Sequence, residues 1–179
     1  MTDSVPTLLT ERLRLRGWSE ADRLPLVAIK TDPSNWRFIG NGQPQTAEQA
    51  TDLLAVLQEE WEAAGVGSWA VVVAATGELL GDCGVKLTDR GPQLAYMIAR
   101  GQWGNGFATE ASRAVLGHVF VAHDWPAVYA STSVENIASQ RVLEKVGMQT
   151  RRTIEGPYGR EAWYELRRDE FPHPAPSVR

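Results

Sequence analysis

The chain has 179 residues, a formal charge of −4, 43% hydrophobic and 22% charged residues, which suits a single globular domain with a full apolar core. No window is apolar enough to span a membrane, residues Thr2, Asp3 and Ser4 open no secretory signal, and the acidic balance argues against nucleic acid as the main partner. One cysteine, Cys83, rules out an internal disulfide framework and suits a reducing compartment, so a cytoplasmic location is expected.

From the N-terminus, Thr10 to Trp18 alternates Leu13 and Leu15 with Arg12, Arg14 and Arg16, which predicts a half-buried strand. Ser19 resembles an N-cap for a helix through Lys30, with Leu24, Val27 and Ala28 on its inner side. Asp32-Pro33 ends that helix, and Trp36-Arg37-Phe38 follows in an irregular stretch. Thr46 and Gln49 form a capping box for a second helix striped by Leu53, Leu54, Leu57, Trp61 and Ala64 and stopped at Gly65.

Trp69 to Ala75 and Leu79 to Leu87 read as a β-hairpin about Thr76-Gly77-Glu78. Gly81 and Gly84 inside its second strand predict a bulge or a close backbone approach. Leu94 to Arg100 is a short buried strand, and Gly101, Gly104 and Gly106 punctuate the turn after it. From Phe107 the apolar positions Ala111, Ala114, Val115 and Val119 take helical spacing. A glycine-rich turn opening a helix presents free N–H groups at the positive end of the helix dipole, a geometry suited to a diphosphate. Glycine spacing by itself is weak evidence, and three glycines alone favour a plain strand-to-helix connection.

Val128 to Val134 is a further strand, Asn136 caps a helix running to Val146, and Thr150 to Ile154 and Ala162 to Leu166 complete the set. Residues 1–171 are expected to form the one domain, and 172–179, with its prolines, a disordered tail. Strands and helices in this order predict an α+β fold on a mixed sheet.

Four segments taken together, TERLRLR at 10–16, LLGDCGV at 79–85, WGNGFATEA at 103–111 and NIASQRVLEKVGM at 136–148, resemble the GCN5-related N-acetyltransferase (GNAT) superfamily. More narrowly the chain is similar to its RimJ/RimL-like branch of ribosomal-protein N-terminal acetyltransferases. The resemblance implies the GNAT acyl-CoA N-acyltransferase fold: a mixed, mostly antiparallel sheet splayed between its fourth and fifth strands, with helices on both faces. It implies acetyl-CoA as co-substrate, held by Trp103, Gly104, Asn105, Gly106, Phe107, Ala108 and Thr109, by Met97 and Ile98 on the fourth strand, and by Asn136 and Ser139. The acceptor is then a primary amine, either a protein N-terminal α-amine or a small molecule, with Trp36, Phe38 and Tyr158 lining its site by analogy of loop positions. A homodimer is compatible with the sequence without being specified by it.

An amine attacks only after losing its proton, so the reaction needs a base or a water relayed to one. The resemblance implies that a backbone N–H on the fourth strand, which maps near Met97 and Ile98, stabilises the developing oxyanion, and a proton donor must help the CoA thiolate leave. The chain departs from the family pattern at both ends of that proton path. Leu143 stands where many GNAT enzymes carry a tyrosine acid, which leaves Ser139 as donor or thiolate contact. Gln93, in Gln93-Leu94-Ala95-Tyr96, stands where the branch often has glutamate, which leaves Glu135, Glu161 and Asp82 as base candidates. Glu110 is expected to be structural. A catalytically silent acyl-CoA-binding module is the alternative those departures suggest. His118 and His123 have no cysteine partner nearby, so no metal site is expected, and His118 and Cys83 read as packed residues.

Overall fold

In a computed structural model of the chain, residues 5–172 are described, so all but the first residue of the proline-containing tail lies outside the described residues. Eight strands form one sheet in the order β1-β2-β3-β4-β5-β6-β8-β7. They are β1 (Leu8–Leu9), β2 (Leu13–Arg16), β3 (Ser68–Val73), β4 (Leu79–Thr88), β5 (Gly91–Ile98), β6 (Ala127–Ser133), β7 (Gln149–Gly156) and β8 (Gly159–Arg167). Four helices, α1 (Arg23–Thr31), α2 (Ala47–Ala64), α3 (Phe107–Ala122) and α4 (Ile137–Lys145), cover it. Every neighbouring pair is antiparallel except β5 and β6. The predicted α+β class and strand order hold, with the two-residue β1 added at the edge.

Two cores form because alternate strand residues face opposite sides. Leu13, Leu15, Cys83, Val85, Leu94 and Ile98 pack beneath α3 and α4 with Val115, Phe120 and Leu143. Ala70, Val72, Leu79 and Met97 pack on the other side against Leu26, Ile29, Leu54 and Leu57 of α1 and α2. Each fully buried Leu or Phe contributes about 1.5–3 kcal/mol, so the sheet is anchored on both faces around β3–β5.

Local signals explain the element ends. Thr46 accepts from the Gln49 N–H at 3.2 Å while Gln49 accepts from the Thr46 N–H at 2.9 Å, and Gly65 ends α2 at φ +64°. A Cβ on Gly84 would lie 2.2 Å from the Gly67 carbonyl oxygen, and one on Gly81 1.9 Å from that of Met97, so both are close approaches of backbone. The register shift falls beside Gly81, between Val71 and Val72.

The inner face of α1 differs from the expectation. Leu24 is 80% exposed, whereas Leu26, Ile29 and Lys30 are buried. Residues Glu20–Asp22 form a 3-10 turn, so the helical phase starts at Arg23 rather than at Ser19. Leu26, Ile29 and Lys30 do follow the i, i+3, i+4 spacing, but a buried lysine conceals it. Lys30 is tolerated there because its ammonium meets Asp82 at 2.5 Å.

Candidate active site

Strands β5 and β6 are in register at one position only, Gln93 opposite Tyr129. Past it they separate, and the gap forms a cleft of about 620 Å³ lined by Tyr96, Ile98, Phe107, Ala130, Ser139 and Glu161 among others. The Ala99 N–H donates to Leu80 at 2.8 Å, which fixes the alternation along β5. The amide of Met97 therefore points to β4, while those of Tyr96 and Ile98 point into the gap. Met97 is nevertheless among the residues that line the cleft.

The glycine-rich turn closes one end of this gap. After β5 a 3-10 turn, Arg100–Gln102, leads to Trp103, whose indole donates to the Ile98 carbonyl at 2.6 Å. Gly104 and Gly106 both lie at φ +83°, in the left-handed region that favours glycine. Gly106 caps α3 with no side-chain hydrogen bond, and the ladder begins only with the Glu110 N–H donating to Gly106 at 3.1 Å. The N–H groups of Phe107, Ala108 and Thr109 are thus outside the ladder, at the positive end of the helix dipole.

Glu110 fastens this helix start to the edge of the sheet. It accepts from the Thr10 hydroxyl at 2.6 Å and from the Arg12 backbone N–H at 2.9 Å, and pairs with the Arg12 guanidinium at 2.6 Å. Partial burial opposes its charge, but the bonds from Thr10 and Arg12 outweigh that and hold its carboxyl below the ordinary value. Arg12 also donates to the Asn105 carbonyl at 2.9 Å and covers the Phe107 ring at 4.7 Å. A cation therefore sits beside the free amides.

Across the gap, Asn136 caps α4 by accepting from the Ser139 N–H at 3.2 Å. The Ser139 hydroxyl lies 2.8 Å from that of Tyr96, which also donates to the Ser139 carbonyl at 3.2 Å. Burial pushes the Tyr96 hydroxyl well above the usual tyrosine range, opposed by the bond to Ser139, so the phenol stays protonated at neutral pH.

Residues 12–149 match the Acetyltransferase (GNAT) domain family. The chain belongs to the GNAT acetyltransferases. YkkB of Bacillus subtilis (strain 168) is 33% identical over 152 residues, spanning 82% of this chain and 87% of that one. An acetyltransferase structure from Agrobacterium tumefaciens str. C58 superposes with a TM-score of 0.78 at 25% identity, covering 93% and 96% of the two chains. The structure of RimL, a ribosomal L7/L12 α-N-protein acetyltransferase in complex with coenzyme A, shares the fold with a TM-score of 0.78 at 13% identity, covering 90% and 98%. The predicted GNAT fold, with its sheet splayed between β5 and β6, is the observed one, and acetyl-CoA is the co-substrate of the family.

The other anticipated residues of this GNAT acetyltransferase are dispersed. Glu161, on β8, and Phe38 line the cleft. Glu135 is exposed in the turn after β6, its N–H on the Ser133 hydroxyl at 3.2 Å, and is not among the cleft-lining residues. Trp36 donates its indole N–H to the Lys30 carbonyl and packs against the α1–α2 core, and Tyr158 is 67% exposed at the β7–β8 turn. Asp82 is engaged by Lys30, and Leu143 is core. Cys83 is buried beside Ser112, and its burial pushes the thiol up to about 12, which makes it inert. His118 packs edge-on against Trp69 at 5.6 Å. The cleft residue that the sequence does not single out is Tyr96, which closes the segment Gln93-Leu94-Ala95-Tyr96 and meets Ser139. No helix among the described residues is long and apolar enough to cross a membrane, and no group of three or more His, Cys, Asp or Glu converges on a metal site there.

Proposed function

We propose that this acetyltransferase acetylates a protein N-terminal α-amine, or a small primary amine resembling one, within a reducing compartment such as the cytoplasm. The observation that carries the reading is the hydroxyl pair of Tyr96 and Ser139, set in the gap between β5 and β6. The acceptor class is supported by likeness of fold to RimL, which acts on a protein α-amine by its name.

The residues present fit acetyl-CoA. The free amides of Phe107, Ala108 and Thr109, the left-handed Gly104 and Gly106, and the neighbouring Arg12 suit a diphosphate. Acetyl-CoA supplies an activated thioester when bound. The chain's own groups then divide the work. The Ile98 N–H, aimed into the gap, donates to the carbonyl oxygen as negative charge builds there. Glu161, facing the cleft, accepts the amine proton directly or through water. Ser139, its hydroxyl oriented by the protonated Tyr96, hydrogen-bonds the departing sulfur. The tyrosine missing at Leu143 is thereby replaced in role by one reaching across from β5.

Incubating the purified protein with isotopically labelled acetyl-CoA and a panel of amines and N-terminal peptides, followed by mass spectrometry, tests this directly. Label on an α-amine or small amine is expected. Tight CoA binding in calorimetry with no labelled product would instead identify a silent binding module.

A further inference from the structure

Strand register places a row of residues on one face of the sheet. Lys86 pairs with Gln93, Gln93 with Tyr129, Ser131 with Trp163, and Trp163 with Arg152. Tyr129 and Ser131 are two apart on β6, as Glu161 and Trp163 are on β8, so the whole row shares a face. Gln93 meets Lys86 and Met97 there, the side on which α1 and α2 pack. Those helices pack over β3–β5, and the described β6–β8–β7 residues on this face belong to neither core.

Trp163 is nevertheless only 5% exposed. Its ring is covered by Tyr129 at 5.7 Å and by two guanidinium groups, Arg90 at 5.5 Å and Arg152 at 5.9 Å. Arg90 comes from the β4–β5 turn and Arg152 from the irregular stretch of β7 where the register shifts. Among the described residues neither arginine has a carboxylate within ion-pair reach, and neither has Lys86, which lines the cleft itself. Of the carboxylates on this face, Glu165 is taken by Arg151 at 2.7 Å, while Glu161 lies one strand step from Trp163 at the cleft. Two guanidinium groups without counter-charge, gathered over one indole, are placed to bind an anion through charge-assisted, bidentate hydrogen bonds.

We propose that Arg90 and Arg152, with Lys86 at the rim of the cleft, form a binding site for an anionic group carried by the amine acceptor itself. The acceptor is then an amine bearing a carboxylate a short distance from its nitrogen. That carboxylate belongs either to a free amino acid or to an acidic residue next to a peptide's N-terminus. The inference rests on the reading of this cleft as the acceptor site: Glu161 takes the amine end, and the arginines take the charge about one strand step beyond.

Matched acceptors test it. One pair is an α-amino acid and its carboxamide, and the other is two peptides differing only by Asp or Asn at the second position. The wild type is expected to favour the anionic member of one pair by about tenfold or more in kcat/KM, chiefly through KM and less so in high salt. The pair showing it identifies the source of the carboxylate. The doubly substituted Arg90→Gln, Arg152→Gln protein should bring the ratio near one, and Arg90→Lys with Arg152→Lys, which keeps the charge but not the planar fork, should recover only part of it. Both arginines are exposed and Gln keeps most of each stem, so folding is not at stake. Equal use of both members in both pairs, or a preference surviving the double substitution, overturns the proposal. Calorimetry of the N-acetylated compounds with the CoA-loaded protein separates this from failure of acetyl transfer. Tighter binding of the acidic product without turnover supports the anion site while refuting transfer, and equal binding of acid and amide products refutes the site.

Discussion

The hydroxyl of Tyr96 on β5 stands 2.8 Å from the hydroxyl of Ser139 on α4, so two elements from opposite sides of the gap share one hydrogen bond. An alcohol alone is a poor acid, and a phenol this buried remains protonated; when its proton goes to the Ser139 hydroxyl oxygen, the shorter of its two contacts, the Ser139 O–H is left to donate into the cleft. Tyr96→Phe and Ser139→Ala should each lower kcat about tenfold to a hundredfold, with KM for acetyl-CoA changed less. The double variant should fall little further, because the two act as a unit. Wild-type turnover in Tyr96→Phe would remove the tyrosine from the mechanism.

Gly106 gives a contrast with Gly101. A side chain at Gly106 is forced to φ +83°, with its Cβ 3.4 Å from the Arg12 guanidinium, whereas an added Cβ at Gly101 meets nothing within 4 Å and needs no left-handed backbone. Gly106→Val should weaken CoA binding about tenfold or more in calorimetry, and Gly101→Ala should leave it within about twofold, since strained backbone costs about 1–3 kcal/mol. Equal affinities in the two variants would contradict the placement of the diphosphate.

Glu110 links acid sensitivity to the helix start. Its pKa is lowered in the folded protein, so its stabilising contribution is complete above the ordinary value of 4.5 and disappears as pH falls through the lower folded value. Thermal melts of wild type and Glu110→Gln should differ most near neutral pH and converge at the acid end. A constant difference across that range would show that the charge on Glu110 is not what fastens β2 to α3.

Lys30 and Asp82 form an ion pair with side chains only 8% and 13% exposed. Lys30→Met alone should destabilise by about 3–5 kcal/mol, because it strands a carboxylate, whereas Lys30→Met with Asp82→Leu should restore most of that loss. Urea unfolding measures both, and an additive double variant would show that the pair is not coupled.

The fold was legible because the strand, glycine-rich turn and helix around Gly101–Phe107 are punctuated by residues with single uses, and because the capping box at Thr46 and the close approaches at Gly81 and Gly84 are local. What escaped depends on long-range pairing. Lys30 reads as the solvated end of a helix until Asp82, 52 residues on, is brought to it. Tyr96 reads as a strand aromatic until α4 arrives with Ser139, 43 residues away. Trp36 and Tyr158 carried aromatic signals but lie outside the cleft, since a loop position does not say which way its ring turns.

The single registered pair between β5 and β6 has one more consequence. The gap-facing amides of Tyr96 and Ile98 sit in a strand yet have no partner strand beside them. Without a nucleotide they should exchange with deuterium like loop amides rather than sheet amides. The two halves of the sheet thus carry their own reporter of occupancy, legible residue by residue before any acetyl group has moved.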